Sequence, residues 1–135
     1  MNAYRDANAY AKVGVESGIL AASPHQRIVM LFDSYQASIR IARLHLQAGR
    51  IAEKGQAITK AINIVSRGLR AALDLEQGGE IAVQLDQLYD YVVRLLLRAN
   101  LDNDDTALTT AAALLENIAA AWLAIGSHTE EERQP

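Results

Sequence analysis

Three histidines and a run of aspartates are the side chains with the greatest chemical potential in this chain. His25, His45 and His128 are far apart, and no two of them share a helical turn. Lone imidazoles without a second histidine nearby are weak signals for a metal site. They read as exposed or capping residues. Asp102, Asp104 and Asp105 resemble the start of a calcium loop, but Thr106 and Ala107 follow where a polar ligand and a turn glycine are needed. Capping and solvation are the expected roles of these aspartates. Ser34, Ser38 and Ser66 have no base within helical reach, and Gly78-Gly79 is too short to cradle a phosphate. The absence of cysteine removes thiol catalysis and thiolate metal sites. These residues point to a protein that is not an enzyme and uses no cofactor or metal.

The arginines do not change this picture. Arg40, Arg43, Arg50, Arg67, Arg70, Arg94 and Arg98 are interrupted by Asp33, Glu53, Asp74 and Asp90, and the net charge is -3. Scattered ion pairs on solvated helix faces are expected, not a nucleic-acid groove. Tyr91 beside Arg94 and Arg98 is the one aromatic placed to stack a base. The N-terminus lacks the pattern of a signal peptide, and no uninterrupted apolar run reaches the ~20 residues of a membrane span. A cytoplasmic protein without stable membrane insertion is the expectation.

The elements that position these residues are helices. The chain has 135 residues, 50 % of them hydrophobic and only 2 of them proline, which suits one all-α domain. Ser23, Pro24 and Gln26 form an N-terminal capping signal, so a first helix runs from Pro24 to about Ala48, with Gly49 as its stop. Its inner stripe is Ile28, Leu31, Tyr35, Ile39, Ala42 and Leu46. A second helix is expected from Ile51 to Glu76, with Ile58, Ile62, Val65, Leu69 and Ala72 inward. A third runs from Glu80 to Asn100 on Ile81, Leu85, Leu88, Val92, Leu95 and Ala99. Asp102–Asp105 then break the chain, with one aspartate capping a fourth helix. That helix turns Leu108, Ala111, Leu115, Ile118 and Trp122 inward and stops at Gly126. Short connections favour an antiparallel up-down-up-down four-helix bundle over residues 23–126. Residues 1–22 read as an N-terminal arm anchored by few side chains, and 127–135 as a flexible tail.

A bundle of this size does not need all its apolar surface. Outside the inner stripes lie Met30, Ala37, Ile41, Leu44 and Ala48 on the first helix. Ala57, Ile64, Ala71 and Leu75 lie on the second, near Gly68, and Tyr89, Val93, Leu96 and Leu97 on the third. Part of this surplus serves helices that touch two neighbours. The rest points to a groove for a foreign helix. The client-binding groove is expected to comprise Met30, Ile41, Leu44, Ile64, Ala71, Leu75, Tyr89, Val93, Leu96 and Leu97.

Five stretches give the chain a family likeness: AYAKVGVES at 9–17, ASPHQRIVMLFD at 22–33, KAINIV at 60–65, LYDYVVRLLLRANLDND at 88–104 and NIAAAW at 117–122. In this order they resemble the flagellar secretion chaperones, cytosolic proteins that bind flagellin. The resemblance implies an antiparallel helical bundle that clasps the disordered C-terminal region of flagellin and prevents premature polymerisation. It also implies delivery of the client to the export apparatus, with export gate components and an anti-sigma factor as further partners. Tyr10 matches the family's arm tyrosine. Ala7 stands where members often carry a larger apolar residue, which implies arm anchoring that is either weaker here or shared with Tyr4. The alternative is a general helical adaptor for another export-machinery or regulatory protein. A carboxylate-rich bundle enzyme lacks the Glu-x-x-His pairs it would need.

Overall fold

A computed structural model of the chain describes residues 22–133, with side chains through Ile125. All but Ala22 of the expected arm, with Tyr4, Ala7 and Tyr10, lies outside the described residues. The described part is helical throughout, in the order α1 (Pro24–Gln47), α2 (Ile51–Asn63) with a π-helical extension (Ile64–Leu69), α3 (Gly79–Asp102) and α4 (Asp105–Arg133).

Helix α1 begins and ends where its residues require. The Ser23 hydroxyl accepts from the Gln26 N–H at 3.1 Å, and the Gln26 side chain accepts from the Ser23 N–H at 3.0 Å, closing the capping box. At the other end Gly49 takes φ +74° and Arg50 N–H donates back to His45 O at 2.9 Å. Left-handed backbone of this kind is where glycine terminates a helix.

Helix α2 is shorter than its periodicity suggests. At Ile64 it loosens into π winding, with Arg70 N–H bonded to Val65 O at 2.8 Å, and regular winding ends at Leu69 rather than Glu76. The Asp74 carboxylate accepts from the Glu76 and Gln77 N–H groups at 3.1 and 3.0 Å. Such local bonds compete with helical ones and turn the chain. Ala72, expected in the core, is therefore exposed.

Helix α3 ends at Asn103 in left-handed conformation, and the Asp104 carboxylate caps α4 by accepting from Ala107 N–H at 3.2 Å. Helix α4 continues through Gly126 to Arg133, across most of the expected tail. A lone glycine costs only ~1 kcal/mol relative to alanine, too little to stop a helix so rich in alanine and leucine.

The core joins Phe32, Tyr35, Ile39 and Ala42 of α1 to Ile58, Ala61, Val65 and Leu69, to Tyr89, Val92, Leu96 and Ala99 of α3, and to Leu108, Ala111 and Leu115 of α4. On α3 this face lies between the two stripes distinguished by spacing. Ile81, expected inward, is 71 % exposed, whereas Tyr89 and Leu96, expected in the groove, are buried. The helix packs on both α4 and α2, and the middle of its apolar arc faces both. Contacts between α1 and α4 run in opposite sequence order: His25 with Trp122, Tyr35 with Ala111, Arg43 with Asp105. The same holds for α2 and α3, where Lys54 meets Asn100 and Arg70 meets Asp86.

Lys54 is the largest departure from expectation inside the bundle. It is 1 % exposed, and its ammonium donates to Asn100 O at 2.9 Å and to the Asn103 side chain. Both acceptors belong to the C-terminal end of α3, where the helix dipole favours a cation. The Asp105–Ile125 stretch of α4 is long and apolar enough, by length and composition, to cross a membrane. In the fold, its residues Ala107, Leu108, Ala111 and Leu115 are sealed in the bundle core.

Candidate docking surface

Several of the residues with chemical potential are engaged in structure. His25 Nε2 lies 2.7 Å from Trp122 O, the Trp122 indole N–H donates to His25 O at 3.2 Å, and the rings stack at 5.1 Å. His45 Nδ1 accepts from Arg50 at 3.0 Å. The His128 side chain lies outside the described ones. Asp104 caps α4, and Asp105 is bridged by Arg43 at 2.8 and 3.2 Å. Hydrogen bonding to Arg43 holds the Asp105 carboxyl below the usual carboxylate range. Arg70 pairs with Asp86 and Asp90, and Arg94 with Asp90. Apart from Arg94, whose pair with Asp90 lies within α3, these side chains secure a helix end or a helix pair.

Concave surface occurs along the seam of α1 with α2. A cleft of about 540 Å³ is lined by Leu31 of α1 and by Gln56, Thr59, Lys60, Asn63, Ile64, Arg67 and Gly68. A second, of about 250 Å³, is lined by Ser38, Ile41 and His45 of α1 and by Glu53, Gln56, Ala57 and Lys60. Gln56 and Lys60 belong to both, so the clefts are neighbours along one seam. Apolar floor and polar rim follow from the α2 sequence. Ala57 and Ile64 recur every seven residues beside Glu53, Lys60 and Arg67, and two turns of helix keep each set on its own line.

The expected groove residues separate into groups. Ile41 and Ile64 line the clefts, and Met30 and Leu44 are exposed on α1, Leu44 by 63 %. Val93 is half-buried against the core. Tyr89 and Leu96 belong to the core, and burial pushes the Tyr89 hydroxyl up to about 12. Ala71 and Leu75 are exposed beyond the end of the second helix, and Leu97 is exposed on α3, outside both clefts. The polar rim was missed, because a search for surplus apolar residues passes over Gln56, Thr59, Lys60, Asn63 and Arg67. Their heptad spacing beside Ala57 and Ile64 was the available signal.

This geometry suits the apolar edge of a helix bordered by polar contacts. The profile of the family described as flagellar protein FliS matches residues 6–129. The flagellar secretion chaperone FliS of Salmonella typhimurium is 54 % identical over 114 residues, 84 % of each chain. That of Escherichia coli is 44 % identical over 122 residues, 90 % of each chain. The flagellar secretion chaperone FliSB of Pseudomonas aeruginosa is 38 % identical over 90 % of this chain and 96 % of its own. All three relatives are named as chaperones, not as enzymes.

Proposed function

We propose that this chain, which belongs to the flagellar protein FliS family, captures the disordered C-terminal segment of flagellin. It covers the segment as helices against the α1–α2 seam and so prevents premature polymerisation. In this reading the molecule is an antiparallel up-down-up-down bundle that works in the cytoplasm, without stable membrane insertion or nucleic acid. It passes the client to export gate components and also meets an anti-sigma factor. The observation that supports it most is apolar surface left unburied next to concave surface: Met30, Ile41 and Leu44 on α1 beside the clefts that Ile41 and Ile64 line.

Energetics allow capture without a nucleotide. Each large apolar side chain that becomes well buried contributes ~1.5–3 kcal/mol. Folding a disordered client segment costs ~2–5 kcal/mol or more. Several modest contacts along an extended seam give firm but reversible binding, which handover requires. The arm, residues 1–22 with Tyr4, Ala7 and Tyr10, covers part of this surface in the empty protein and yields to the client.

Circular dichroism and sedimentation of the protein mixed with a C-terminal flagellin segment test the reading. A one-to-one complex with more helix than the two free chains is expected. An additive spectrum with no complex would refute it. Deleting residues 1–17, and Tyr10→Ala separately, should change client affinity. Unchanged affinity and solubility in both would make the arm a passive tail.

A further inference from the structure

The larger cleft has a charge pattern that apolar docking alone does not require. Its floor is Leu31, Ile64 and the backbone of Gly68, where an added Cβ would come within 3.0 Å of Leu31 Cδ1. Its rim carries Lys60 and Arg67 and no carboxylate, on a chain whose net charge is -3. Both cations are exposed, and among the described residues neither joins an ion pair or a side-chain hydrogen bond. Arg43, Arg70 and Arg94, by contrast, each have an aspartate within 4 Å. Arg27, Arg40 and Arg98 are also exposed and join no ion pair among the described residues, so what sets Lys60 and Arg67 apart is their place together on the rim of an apolar cleft. They lie seven residues apart on one rim, two helical turns or roughly 10 Å along the axis.

We propose that this cleft takes an amphipathic helix of the client that lays its apolar edge on Leu31, Ile64 and Gly68. Two carboxylates of that helix, about two turns apart, meet Lys60 and Arg67. This rests on the flagellin reading above and adds the charge pattern that sets the client's register. A helix slipped by one turn keeps most apolar contact but moves its carboxylates off the cations. Exposed rim charges of this kind govern encounter rate and register more than total affinity. Gln56, Thr59 and Asn63 supply neutral hydrogen-bonding groups along the same wall.

The test uses the full chain, with the C-terminal flagellin segment as probe, and measures affinity between low and moderate salt. Wild-type affinity should fall as salt rises, because screening weakens exposed pairs. Lys60→Glu combined with Arg67→Glu should weaken binding about tenfold at low salt and invert that salt dependence, because screening then relieves a repulsion, with an unchanged melt. Changing two client carboxylates spaced by two turns to lysine should restore much of the loss. If the double reversal lowers the melt, Lys60→Gln with Arg67→Gln should remove the salt dependence without inverting it. Wild-type affinity and salt slope in the reversed protein would overturn the charge inference while leaving capture intact. Failure of the unmodified protein to bind the segment would overturn capture itself, and the charge inference with it.

Discussion

Along its α4 edge, helix α1 is tied by polar contacts at four levels: His25 with Trp122, Tyr35 with Ala111 O, Gln36 with Ala112 O and Arg43 with Asp105. Along its α2 edge, apolar side chains fill the lower part of the seam and two clefts remain above it. There Gln56, Thr59, Lys60, Asn63 and Arg67 line the larger opening, and among the described residues none uses its side chain in a protein hydrogen bond. The exposed polar groups of the α2 edge meet water, whereas those of the α4 edge are engaged by the fold. In the proposed reading, α1 is a structural wall on one side and part of a docking surface on the other.

The sharpest way to break this comparison is to damage each edge in turn. Tyr35 is fully buried, and its hydroxyl donates to Ala111 O at 2.8 Å. Tyr35→Ala should cost about 3–5 kcal/mol in urea unfolding, as large-to-small core changes do. A loss below about 1 kcal/mol would show that the α4 edge does not hold the fold.

Alkaline pH probes the same core without truncation. Burial raises the Tyr35 hydroxyl well above its ordinary value and the Tyr89 hydroxyl to about 12. Their contribution is complete below the ordinary tyrosine value near 10 and is lost as pH rises through the raised values. Each group should lower stability by up to about 1.4 kcal/mol per pH unit in that window. Melts from pH 9 to 11.5 should fall less steeply for a Tyr35→Phe, Tyr89→Phe protein. Equal slopes would mean that both rings ionise freely in the folded state.

The docking edge should respond in the opposite way. Ile41 and Leu44 are 46 and 63 % exposed, so Ile41→Asp or Leu44→Asp should change stability by no more than about 0.5 kcal/mol. Affinity for the flagellin segment should nevertheless fall about tenfold or more, because a charge in a desolvated contact is costly. A large drop in melting temperature would place these residues in the core instead. Leu97→Asp gives a graded control: Leu97 is exposed on α3, a different helix from the two that form the seam, so its effect on affinity should be smaller.

The smallest expected effect is at Asp105, whose side chain is 42 % exposed beside Arg43. Its carboxyl is held below the ordinary value, so the pair's contribution is present above that value and is lost as pH falls through the lower folded value. Asp105→Asn should flatten the acid side of the stability curve slightly, and solvent screening keeps the change small. A pronounced acid transition that vanishes in this variant would mean that the ion pair, not apolar packing, secures this edge.

Local signals determined most of the helical framework. Ser23, Pro24 and Gln26 opened α1, Gly49 closed it, and Asp104 capped α4, because these groups satisfy backbone partners within a few residues of themselves. The 3.6-residue period placed Tyr35, Ile39, Val65, Leu108, Ala111 and Leu115 inside. Tertiary structure decided the rest. The arc of α3 facing the core depended on two neighbours, which drew Tyr89 and Leu96 inward and left Ile81 outside. Lys54 is buried because another helix ends above it and offers Asn100 O. The larger cleft exists where α1 meets Gly68 and the π-wound turn. No single segment encodes such a place, because its shape depends on the separation of two helices distant in sequence. A sequence shows which residues seek burial or water, but only packing decides which apolar residues are left for a partner.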